Sequence, residues 1–134
     1  MHTFIQNIAD KTIERFDDIN PINIANSLKR VVFTTAPLGD NINGFYKFIS
    51  LNKQMIVINE NLSEEEFNFT LFHELAHYFL KHRDALLLNS TFSLNIKEEY
   101  QADLFATYMY MKYKKDCLDY NCPIRVRELM KKFR

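Results

Sequence analysis

Phe69-Thr70-Leu71-Phe72-His73-Glu74-Leu75-Ala76-His77-Tyr78-Phe79-Leu80 is the stretch whose reading decides what kind of molecule this chain makes. On a helix, residues four apart share a face, so the imidazoles of His73 and His77 can point at one metal ion. Glu74 follows the first histidine and can reach a water at that ion without being a ligand itself. Two nitrogen ligands, an open coordination position and a neighbouring base are what a metal hydrolase needs. The competing reading is an amphipathic helix whose two histidines and glutamate share no task, and context has to separate the two.

Working outward, Asn61-Leu62-Ser63-Glu64-Glu65-Glu66 reads as a helix start. Ser63 is the expected N-cap and Glu66 the return half of a capping box, and the acids suit the positive end of the helix dipole. Phe67, Leu71, Phe72, Leu75, Ala76, Tyr78, Phe79 and Leu80 then place apolar side chains round most of the circumference. A helix that is apolar all round is buried, and polar groups on it need partners. A metal ion would satisfy His73, Glu74 and His77 together.

A third ligand is expected downstream, in Lys97-Glu98-Glu99-Tyr100-Gln101-Ala102-Asp103-Leu104-Phe105-Ala106-Thr107-Tyr108, which also has helical spacing and lacks Gly and Pro. Glu99 and Asp103 lie four apart and share one face, so one acid can ligate while the other accepts a hydrogen bond from a ligating histidine. Ala102 and Ala106 allow close approach of the two helices. On spacing alone Glu98 competes with Glu99, and both also suit a solvated helix start.

The two motifs, His73-Glu74-Leu75-Ala76-His77 and Glu99-Tyr100-Gln101-Ala102-Asp103-Leu104-Phe105-Ala106, resemble those of the ImmA/IrrE family of small zinc metallopeptidases, over roughly residues 22 to 110. The resemblance implies a zinc ion, one per chain, on His73, His77 and Glu99, with Glu74 as catalytic base and Asp103 behind a ligand. It selects Glu99 over Glu98. It also implies a protein substrate, commonly a helix-turn-helix transcriptional repressor. The alternative it leaves is a non-catalytic zinc protein that binds such a repressor and relieves it. Two departures stand out. Tyr108-Met109-Tyr110-Met111-Lys112-Tyr113 replaces a proline-ended Leu-Leu-Met-Pro, so the second helix is expected to run to about Lys115. Ala76 stands where a glycine is common, and is small enough to change little.

The remaining segments suggest an α+β fold within a single domain, residues 1–134. Residues 3–17 and 22–28 have helical character, while 30–35, 44–51 and 54–59 read as strands, the last two joined by a turn at Asn52-Lys53. The expected architecture is a small antiparallel sheet packed on a zincin-like pair of helices, with helices at both termini. Residues 83–96 read as a loop whose Leu86-Leu87-Leu88 and Phe92 cap the helix pair. An extended substrate is expected to pair with an edge strand of the sheet, as in the peptidases the chain resembles.

For the oxyanion donor, Tyr108, Tyr110 and His82 are the candidates. Tyr110 lies seven residues beyond Asp103 and shares its face. His82, five beyond His77, falls off the ligand face of an ideal helix and suits a structural or rim position.

Composition narrows the function classes. With 134 residues, 47% of them hydrophobic, 12 Phe and only 2 Gly, the chain has material for a packed core. Seventeen basic and 17 acidic side chains balance, giving no general attraction to nucleic acid. Arg125, Arg127, Lys131, Lys132 and Arg134 alternate with apolar residues as on the solvated face of a terminal helix. No run is long enough to span a membrane and no export signal is visible, so Cys117 and Cys122 read as reduced thiols of a cytoplasmic protein that hold no metal.

Overall fold

Ser63 opens the central helix as expected: its hydroxyl accepts from the Glu66 N–H at 3.3 Å, and helix Glu64–Phe79 follows. The computed structural model describes residues 2–82, 86–90, 96–114 and 128–133, with the backbone alone at 86–90 and 132. The order is α1 (His2–Phe16), α2 (Pro21–Ser27), β1 (Val31–Ala36), β2 (Ile42–Ser50), β3 (Lys53–Asn59), α3 (Glu64–Phe79), β4 (Leu86–Ser90) and α4 (Ile96–Tyr113), then a 3₁₀ turn at Lys131–Phe133. The class is α+β. Helix α4 ends at Tyr113 rather than about Lys115, and residue 115 lies outside the described residues, as do Cys117, Cys122, Phe92, Arg125, Arg127 and Arg134.

The sheet corrects one expectation. Its order is β1-β3-β2-β4, with β2 antiparallel to both neighbours but β1 parallel to β3, so it is mixed rather than antiparallel. The hairpin turns at Leu51-Asn52 and lays β3 beside β2. After β1 the chain crosses the end of the sheet to reach β2, which leaves β3 between them. Gly39 takes φ +82° in that crossing, a conformation that favours glycine. Asn59, buried at the end of β3, donates to the carbonyls of Gly39 at 2.7 Å and Ile42 at 3.0 Å and so pins the crossing in place. A second correction is β4: Leu86–Ser90, read as loop, pairs with β2 as an edge strand.

Helix α3 lies between two layers, packing on β2 and β3 on one side and on α4 on the other. Every residue from Asn68 to His77 is buried, which accounts for its apolar circumference. Tyr46, Ile56 and Ile58 of the sheet, Phe69, Phe72 and Leu75 of α3, and Leu104, Phe105 and Met109 of α4 form the core with Ile5 and Ile24 from the first two helices. Ala102 and Ala106 are fully buried in α4, where their small side chains permit close packing.

Gly44 of β2 leaves no room for a side chain between the neighbouring strand β3 and helix α3. A Cβ there would meet the Val57 carbonyl oxygen at 2.8 Å, Ile58 Cδ1 at 3.0 Å and Thr70 Cγ2 at 3.1 Å. The oxygen is backbone and cannot swing aside. Gly44→Ala is therefore expected to lower stability by about 1–3 kcal/mol, the usual cost of overpacking, measured as a fall in urea midpoint. A midpoint equal to that of the parent would show that β2 can shift from β3 and α3 at no cost.

Candidate metal centre

Helix α3 brings His73 and His77 to one face, and α4 brings Glu99 and Asp103 opposite them. His73 Nε2 lies 2.6 Å from Glu99 Oε2, and His77 Nε2 lies 3.4 Å from the same oxygen. One ligand atom from each of His73, His77 and Glu99 falls within 4.8 Å of the other two. Glu98, one residue earlier, instead places its carboxylate 3.9 Å from His82 Nδ1. The geometry thus brings Glu99, and not Glu98, to the histidine pair.

Burial and charge suit a cation. His73 and His77 are 2% and 0% exposed, and Glu74 is 0% exposed with Oε1 3.9 Å from His77 Nε2. Burial disfavours a charged His73, but hydrogen bonds to Asp103 and Glu99, with the charge of Glu74, outweigh it and push its pKa up to about 10. His77 goes the other way, to about 4. Its burial dominates, reinforced by the neighbouring His73 and His82, and the Glu99 carboxylate only partly offsets them. For Glu99, burial works to raise the pKa, yet contacts with both histidines hold its carboxyl well below the usual range. A field that keeps a proton on one buried imidazole also favours a metal ion.

The donor set passes a direct test of fit. His77 Nε2 and Glu99 Oε1 are buried and make no hydrogen bond among the described residues, a costly condition unless something else engages them. Two imidazoles and a carboxylate are a ligand set that zinc accepts in catalytic sites with an open position. Asp103 Oδ1 accepts from His73 Nδ1 at 2.8 Å, which leaves Nε2 to face the other ligands.

The sequence profile of the IrrE N-terminal-like domain, Peptidase M78, matches residues 27–132. The chain belongs to this family. Among curated proteins no match is found. Membership of the M78 family makes a metallopeptidase-type function the coarse description of the chain, and His73, His77 and Glu99 are a group able to hold its metal. No helix among the described residues is long and apolar enough to cross a membrane.

The three candidate oxyanion donors fare differently in this M78 chain. Tyr108 is a correction: its hydroxyl donates to Asp10 Oδ1 of α1 at 2.6 Å, away from the ligands, and burial with that carboxylate pushes its pKa up to about 12. Tyr110 is 1% exposed, with its ring edge-on to Phe69 at 6.1 Å, a core position. Of the two positions expected for His82, structural or rim, it takes the buried, structural one. It is 5% exposed, with one ring nitrogen 2.7 Å from His77 Nδ1 and the other 3.1 Å from Gln101 Oε1.

Two participants were missing from the sequence reading. Gln101 sits between Glu99 and Asp103 in the second motif and meets His82 Nε2 through its Oε1. Tyr46 of β2 lays its ring against His77, centroids 5.9 Å apart, while its hydroxyl donates to Gln54 Oε1. A tyrosine in an alternating strand carries no signal of this, because nothing in the strand says which helix residue it will meet.

Proposed function

We propose that the chain is a zinc-dependent endopeptidase whose substrate is a separate protein, of the helix-turn-helix repressor type. The observation that carries this reading is the convergence of His73, His77 and Glu99 beside a fully buried Glu74, in a member of a peptidase family. His73 Nε2, His77 Nε2 and the Glu99 carboxylate would hold the metal, with Asp103 fixing the His73 ring. When bound, zinc supplies Lewis acidity toward a carbonyl oxygen and brings the pKa of water from 15.7 down to about 7.

The chain's own residues do the rest. Glu74 takes the proton from the attacking water and returns it to the amine that leaves. Its burial removes competing water from that carboxylate, and its place next to His73 in the sequence keeps it at the seat without spending it as a ligand. The Tyr46 ring closes one side of His77. A repressor as substrate would place the reaction in the cytoplasm, and balanced net charge suits a protein rather than a nucleic-acid target.

Metal content per chain, measured by mass spectrometry on the parent and on Glu99→Ala, tests the reading. Near one zinc per chain is expected in the parent, with a clear loss in the variant, because two imidazoles alone hold zinc poorly. No metal in the parent after incubation with zinc would overturn the hydrolase reading.

A further inference from the structure

Helix α3 ends at Phe79, and the chain then reverses. Lys81 takes φ 60°, a left-handed conformation that a residue with a Cβ adopts at some cost. Its N–H donates to the Tyr78 carbonyl at 3.2 Å, and the His82 N–H donates to the His77 carbonyl at 2.9 Å. This six-to-one closure is a Schellman-type helix end. It returns His82 over the last turn of α3, directly onto the ring of His77, with centroids 5.0 Å apart.

Only one proton fits between His77 Nδ1 and His82 Nδ1 at 2.7 Å, so one ring donates and the other accepts. Gln101 decides which. Its Oε1 lies 3.1 Å from His82 Nε2 and can only accept, so His82 carries its proton on Nε2. In a neutral His82 that leaves Nδ1 as the acceptor, with Glu98 Oε2 standing off at 3.9 Å, and His77 then donates to it from Nδ1. The lone pair of His77 Nε2 is thereby left facing Glu99 and His73. Asp103 engages Nδ1 of His73 in the corresponding way, through a carboxylate.

We propose that His82 and Gln101 form the positioning pair for His77, a relay from α4 through the Lys81 turn that holds the second metal-binding imidazole in its ligating tautomer. The two histidines are thus served unequally, His73 by a carboxylate and His77 by a neutral imidazole. Were the relay reversed, with Gln101 donating, His77 would carry its proton on Nε2 and present no lone pair to a metal. The proposal rests on the reading of this site as a metal centre.

Four variants of the full chain test it, read by zinc competition against a chromophoric chelator and by the cobalt(II) visible spectrum. His82→Phe keeps a ring but removes the acceptor, and Gln101→Leu removes the group that sets the direction. Each is expected to weaken zinc binding by about 10–100-fold and to shift the cobalt bands, as loss of a ligand's hydrogen-bond partner does. Gln101→Glu accepts only, and His82→Gln offers a carbonyl to His77 Nδ1, so both should bind near the parent's affinity. Parent-like affinity and spectra in folded His82→Phe would overturn the proposal, as would Gln101→Glu binding as weakly as Gln101→Leu. If His82→Phe fails to fold, the two Gln101 variants decide alone.

Imidazole nitrogen NMR on the metal-free chain separates this failure from that of the metal reading. A parent that binds no zinc yet shows His77 protonated at Nδ1, lost in Gln101→Leu, sinks the metal centre and keeps the relay. A parent with His77 protonated at Nε2 sinks the relay.

Discussion

Glu74→Gln is expected to lower peptide hydrolysis by about 10²–10⁴-fold, the range that a positioned general base contributes, while the zinc content stays at that of the parent. The two halves of this expectation come from different observations. Glutamine keeps the shape of Glu74 but cannot take a proton, so the water and the leaving amine lose their shuttle. Glu74 is not one of the three residues whose ligand atoms converge, so the seat survives. The loss should fall on kcat, because in the proposed reaction Glu74 would act on the reacting atoms and not on substrate binding. The assay is cleavage of a candidate repressor followed by gel and mass spectrometry, with metal content measured on the same preparations. Relief of the repressor by Glu74→Gln at the parent's level would show that binding, and not turnover, is the function. Loss of zinc in that variant would instead show that Glu74 belongs to the ligand set.

Phe105→Ala is expected to have the largest effect on stability, about 3–5 kcal/mol. Phe105 is fully buried at the α3–α4 contact and stacks on Phe79, centroids 5.9 Å apart and planes 26° from parallel. Ala102, one turn earlier, and Ala106, the next residue, are buried and have no bulk with which to fill the space. Because whole domains are stable by only about 5–15 kcal/mol, the urea midpoint should fall by about 1 M or more. Zinc affinity should fall too, since α4 carries Glu99 and Asp103 and its seating on α3 sets their distance from the histidines. A parent-like midpoint would mean that the helix pair is held by contacts other than Phe105.

What was legible in the sequence was local. The Ser63 cap, the buried α3, the histidine pair and the shared face of Glu99 and Asp103 follow from spacing on one helix at a time. Choosing Glu99 over Glu98 needed a likeness to other sequences, because both sit in the same helical turn and only the angle between α3 and α4 separates them. The parallel seating of β1 was hidden, because the hydrophobic pattern of a strand reports its faces and not its neighbour. That neighbour is fixed by Asn59 holding the crossing, a contact between residues far apart in sequence. Strand β4 was hidden in a similar way, its Leu86-Leu87-Leu88 run reading equally well as a cap. The contact of His82 with His77 was hidden because spacing on an ideal helix does not foresee that α3 stops at Phe79 and Lys81 turns the chain back.

The Lys81 turn has a bearing on how such a chain can change over time. It makes everything that α3 contributes to the metal seat, from His73 to His82, one continuous and self-closed segment. The other contributors, Glu99, Gln101 and Asp103, sit together on α4, and the two groups meet through the packing of α3 on α4. A change in one helix can therefore reach the other half of the seat only through that packing.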